Sequence, residues 1–168
     1  MALGALLGMF GGVATAAPAL AGGRGDGWEF LDLPKTFTVP AEFCGFEVQG
    51  TQLVNKMFQK ELKTADGSVI ILSNGAFKAT LTNPANGKSI TVNKSGPAKF
   101  VLHPDGSVTA LETGHQLTVL DPADAARFGL PIFFVSAGAL TANVDANGNL
   151  TSVSLHGHVL VDVCAALS

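Results

Sequence analysis

The chain has 168 residues, 47% hydrophobic and only 14% charged, which fits one globular domain with a sizeable core and excludes a disordered polymer. Ten Lys plus Arg stand against thirteen Asp plus Glu, a formal charge of -3, and no basic run is long enough to track a phosphate backbone. The composition therefore argues against nucleic acid as a partner.

The first 22 residues, MALGALLGMFGGVATAAPALAG, carry no charge. An apolar run from Leu3 to Val13 leads into Ala14-Thr15-Ala16 and Ala19-Leu20-Ala21, two A-x-A patterns of the kind signal peptidase reads, so residues 1–21 are expected to be an export signal. Its first basic residue is Arg24, later than such signals usually place one. Gly11, Gly12 and Pro18 interrupt a stretch already short of the about 20 apolar residues of a membrane span, so no transmembrane span is expected in the mature chain. The expected location is secreted or extracellular, including the cell envelope.

Residues 22–41 mix Gly, Pro and charge with isolated Trp28, Phe30, Leu31, Leu33 and Phe37, and predict an irregular lead-in lying along a single domain of residues 42–168. The Arg24-Gly25-Asp26 triplet is too common to signify adhesion. Cys44 and Cys164 are the two cysteines of the chain, and an even count in an exported protein predicts a disulfide. The bond would close a loop of 120 residues (164 − 44) and tie the first strand to the last. Pleat parity puts Cys44 on the core face and Cys164 in register with the histidines near it, so at least one cysteine should lie beyond its strand.

After Cys44 the chain breaks into short segments of alternating polarity, divided by Asp66-Gly67, Asn74-Gly75, Asn86-Gly87, Ser95-Gly96, Asp105-Gly106 and Asn147-Gly148. Such pairs tolerate the positive φ of tight hairpins. Strands are predicted near 43–50, 53–63, 68–73, 76–82, 88–94, 98–103, 107–113, 115–121, 131–144 and 149–163. Residues 53–63 also fit a helix, because Lys56, Lys60 and Lys63 recur at spacings of four and three. Residues 121–129, DPADAARFG, predict a short helix with Asp121 as N-cap, Pro122 at its first position and Gly129 after its end. Consecutive hairpins must hide their edges, so the expected fold is an all-β antiparallel meander closing into a β-barrel, with a β-sandwich as the alternative.

An early cysteine, the central run LTNPANGKSITVNKSGPAKFVLHPDGSVTALETGHQL and the ending DVCAAL resemble a group of small exported actinobacterial proteins of unknown function. The resemblance spans roughly residues 41 to 168 and implies export and a Cys44–Cys164 bond. It implies no activity.

The chemistry is sparse. His156 and His158 share one strand face and could chelate zinc or copper, but a site needs a third ligand, and the alternative is a solvated strand face. DANGNL, from Asp145, has Leu150 where a calcium loop needs Gly and His156 where it needs Glu, so it reads as a turn. Phe134 and Ser136 in FVSAG depart from the nucleophile motif of serine hydrolases. Glu47, Glu61, Glu112 and Asp162 read as surface carboxylates, and Lys78, Lys88, Lys94 and Lys99 as exposed strand residues. No catalytic residue and no cofactor is assigned.

Phe128 to Leu140 is apolar on both faces over Ile132 to Val135. It reads either as a strand covered on both sides or, with Phe133 and Phe134, as the wall of a ligand cavity or a docking patch. Three functions follow: an apolar or lipid-like small molecule held inside a barrel, a non-catalytic interaction protein of the envelope or exterior using that patch, or a cofactor-free isomerase or cyclase with His115 lining the barrel.

Overall fold

Four Asx-Gly turns reverse the chain where the sequence predicts them. In each, an Asp or Asn side chain accepts the backbone N–H two residues on: Asp66 from Ser68, Asn86 from Lys88, Asp105 from Ser107 and Asp145 from Asn147, at 2.9–3.1 Å. The three aspartates are held below the ordinary carboxylate range, chiefly by the Thr64 hydroxyl at Asp66, the Ser107 hydroxyl at Asp105 and the Asn149 side chain at Asp145. The computed structural model describes residues 26–168, so the predicted export signal and Arg24 lie outside the described residues.

The described chain runs β1 (Glu29–Phe30), β2 (Thr36–Val39), α1 (Ala41–Cys44), β3 (Val48–Lys63), β4 (Val69–Thr82), β5 (Ser89–Ser95), β6 (Ala98–Leu102), β7 (Val108–Val119), α2 (Pro122–Phe128), β8 (Phe133–Val144), β9 (Leu150–Asp162) and α3 (Val163–Leu167). All pairings are antiparallel, and the all-β meander is as expected. The stretch 53–63 is strand throughout, within β3.

β5 and β6 are two halves of one strand. Ser95 pairs with Ala76 and Ala98 with Ser73, a step of three on each side, and both halves keep one register with β7 through Ser95–His115 and Ala98–Glu112. The interruption is Gly96-Pro97, where proline has no N–H to give the ladder. The sheet is therefore six long strands in sequence order, with β1 and β2 lying along the outer side of β3. Among the described residues β9 does not pair with β1, β2 or β3, and the Cys44–Cys164 bond joins the two ends of the sheet in place of a hydrogen-bonded seam.

Asn74-Gly75, Ser95-Gly96 and the break predicted at Gly114 do not reverse the chain; they cross the sheet. Met57, Gly75, Gly96, Gly114, Gly138 and Gly157 occupy successive positions of one row across the six strands. Gly96 and Gly138 have φ of 122° and 123°, a conformation closed to L side chains, and a Cβ on either would fall 2.2–2.3 Å from a carbonyl oxygen of the next strand. Gly75, Gly96, Gly114 and Gly138, all at positive φ, interrupt the extended backbone of adjacent strands at one level.

Beyond this row β5 parts from β7. Phe77, Ala79, Leu81, Ile90 and Val92 from one side then pack in a common core with Leu117, Val119, Phe133 and Val135 from the other, closed by α1, α3 and the disulfide. At the opposite end Phe100, Ala110, Ala142, Val144 and Leu150 form a second core with Leu120, Ala125 and Phe134, covered by α2 and its flanks. α2 has the predicted caps: Asp121 accepts from Ala123 and Gly129 is left-handed. Both cysteines lie in short helices rather than strands, which resolves the parity conflict. Asn83 and Asn86 donate to the Leu167 carbonyl at 3.0 and 2.9 Å, pinning α3 beneath the β4–β5 turn.

Candidate functional site

The positions expected to line a cavity are interior packing. Phe133 and Phe134 are fully buried and belong to different cores, and Phe128, Leu130 and Ile132 are half-buried against the second. His115 shares its side of β7 with Leu117 and Val119, as predicted, yet it is exposed: Leu117 and Val119 are covered only beyond the point where β5 leaves β7. The isomerase reading loses its barrel-lining histidine. Ser136 is buried and donates to Gln116 Oε1 at 2.9 Å.

Two residues read as exposed are buried together. Lys94 and Glu112, 6% and 8% accessible, form an ion pair between the two cores, beside the glycine row. Gln116 continues this polar layer, donating to the carbonyls of Gly114 and Gly138 at 3.0 Å each. Ion pair and amide are thus satisfied within the protein, and they fix the strands where glycine leaves no side chains to pack.

His156 and His158 lie exposed on β9, opposite Ala139 and Ala137 of β8. His158, Ala137 and His115 occupy one row, which leaves His115 two strands away. Asp162 is committed to capping α3 through Ala165 N. Among the described residues no three His, Cys, Asp or Glu side chains gather as a metal site.

A cleft of about 400 Å³ opens elsewhere, across β1, β3 and β4, lined by Phe30, Asn55, Lys56, Phe58, Asn74, Gly75 and Ala76. Pairing builds it. Phe30 stands opposite Phe58, Phe58 opposite Asn74, and Lys56 opposite Ala76, so residues from three adjacent strands meet on one side of the sheet. The Phe30 and Phe58 rings meet edge to face, centroids 5.8 Å apart. Asn55 holds the lead-in in place, donating to the Leu31 carbonyl at 2.8 Å and accepting from Met57 N at 3.0 Å. Gly75 lets β3 and β4 close up behind the rings, since a Cβ there would fall 2.0 Å from the Lys56 carbonyl oxygen.

The chemistry offered is two aromatic rings, an exposed ammonium at Lys56 and an exposed amide at Asn74. Sequence reasoning missed this group because its parts lie in the lead-in, in the segment of mixed helix and strand character, and at a supposed turn. The signal was Phe30, an apolar residue with no reason to be in a solvated tail. No helix among the described residues is long and apolar enough to cross a membrane. No protein-family profile, curated protein or solved structure matches the chain.

Proposed function

We propose that this is an exported, disulfide-closed binding protein that takes a small, mainly apolar molecule bearing an anionic or acceptor group in the cleft between β1, β3 and β4. The observation that carries the reading is the pairing of the Phe30 and Phe58 rings with Lys56 and Asn74 around a cleft of about 400 Å³, a volume within the range of small-ligand sites. The rings would supply apolar and aromatic contact, and the ammonium and amide would orient the polar end. The ligand lies on the outer side of the sheet in this reading, because the two cores are filled by their own side chains. Export is supported by the disulfide, which persists in oxidising compartments, and by the uncharged first 22 residues.

The dye 8-anilinonaphthalene-1-sulfonate, aromatic and anionic, is a suitable probe. Saturable fluorescence enhancement is expected, weakened at least tenfold by Phe58→Ala and several-fold by Lys56→Glu. Equal binding by the parent and both variants would refute the cleft. Native mass spectrometry of protein taken from its source would then identify any retained ligand.

A further inference from the structure

β9 ends the sheet: one side pairs with β8, and among the described residues no strand pairs with the other. From Leu150 to Val161 it has no Lys, Arg, Asp, Glu or Pro, the residues that commonly blunt a free edge. Its two ends are occupied. Arg127 donates to the Thr151 carbonyl at 2.9 Å, and Asp162 caps α3. Register shifts bulge the strand at Thr151 and Leu160, and the span between them pairs on its outer side with no strand among the described residues.

We propose that this edge pairs antiparallel with β9 of a second copy of the chain, Gly157 facing Gly157, and that the four histidines so gathered hold one divalent transition-metal ion. The histidine pair selects the partner: two imidazoles two residues apart need further ligands, and a second β9 brings an identical pair. Gly157 is exposed midway between them, so pairing Gly157 with Gly157 sets the two pairs level. Leu155 then faces the partner's Val159, apolar against apolar. On the other side of the sheet His156 faces the partner's His158, and the two-fold repeats the contact.

Opposed residues of antiparallel strands stand about 4.5–5.5 Å apart between Cα atoms, and residues two apart on one strand about 6.8 Å. Four imidazoles at the corners of such a rectangle can converge on one ion, and an all-imidazole set suits zinc, copper or nickel. The Ser154 hydroxyl, 3.4 Å from His156 Nε2, is placed to orient that ring. One chain supplies two ligands and its second copy the other two, which accounts for the incomplete site in a single copy. A strand pair this short is marginal alone, so association depends on the ion.

Sedimentation of untagged protein in EDTA and in rising zinc, with metal content measured on the same samples, tests this. Monomer is expected in EDTA and dimer in zinc, at one ion per two chains. His156→Ala and His158→Ala, both exposed positions, should each raise the zinc needed for half-dimerisation at least tenfold. His103→Ala, beside Thr109 near the β6–β7 turn, should leave it unchanged. A chain that stays monomeric at every zinc concentration, a dimer indifferent to EDTA, or one retained in both β9 histidine variants would overturn the proposal.

Discussion

The two edges of the sheet are finished differently. At the β3 edge the lead-in turns back and supplies β1 and β2: Phe37 covers Gly50 where a Cβ would meet its ring at 2.2 Å, and Leu33 and Val39 enter the core. At the β9 edge no strand is added among the described residues, and His156, Gly157 and His158 are exposed. Covering one edge creates a cleft with aromatic walls, whereas leaving the other bare preserves a row of backbone donors and acceptors. The proposed ligand cleft and the proposed self-association surface thus fall at opposite edges of one sheet.

The perturbation with the largest expected effect joins the two edges. Replacing Cys44 and Cys164 together with Ala releases a 120-residue loop and should cost on the order of 4–5 kcal/mol in the chain-entropy view, read from urea denaturation. Next is Gly138→Val, which places a Cβ 2.3 Å from the His156 carbonyl oxygen and should cost on the order of 2–4 kcal/mol. Because this substitution displaces β9 from β8, it should abolish zinc-dependent dimerisation while leaving dye binding at the far edge in any protein that folds.

Asn55→Ala sharpens the contrast from the covered side. Losing the hydrogen bonds to Leu31 and Met57 should cost about 1 kcal/mol and weaken dye binding, with no effect at β9. Acid acts on both edges alike, through Asp66 in the β3–β4 turn and Asp145 in the β8–β9 turn. Their folded-state pKa values are depressed, so their contribution is complete above the ordinary aspartate value of about 3.9 and is lost as pH falls through the lower folded values. Amide protection in both turns, taken relative to the intrinsic exchange rate at each pH, should therefore fall together below about pH 4.

Much of this was written locally in the chain. An Asp or Asn two residues before a free N–H makes its own turn, and Asp121-Pro122 with Gly129 bounds its own helix, so these could be read without tertiary information. Gly75, Gly96 and Gly114 could not. Asn-Gly looks the same whether the chain reverses or passes straight through, and only the alignment of five strands shows that the glycines form one row. Burial of Lys94 and Glu112 was hidden for a similar reason: the charge that makes either tolerable in the interior is 18 residues away. The cleft residues Phe30, Phe58 and Asn74 lie on three strands, and no periodicity within one segment relates them.

Hydrogen–deuterium exchange of the intact protein, with and without 8-anilinonaphthalene-1-sulfonate in EDTA, addresses the division of labour between the edges most directly. The account predicts dye-induced protection at residues 29–31, 55–58 and 74–76, and none along 152–161. Protection confined to β9, or spread through Phe133 and Phe134 in the cores, would contradict it.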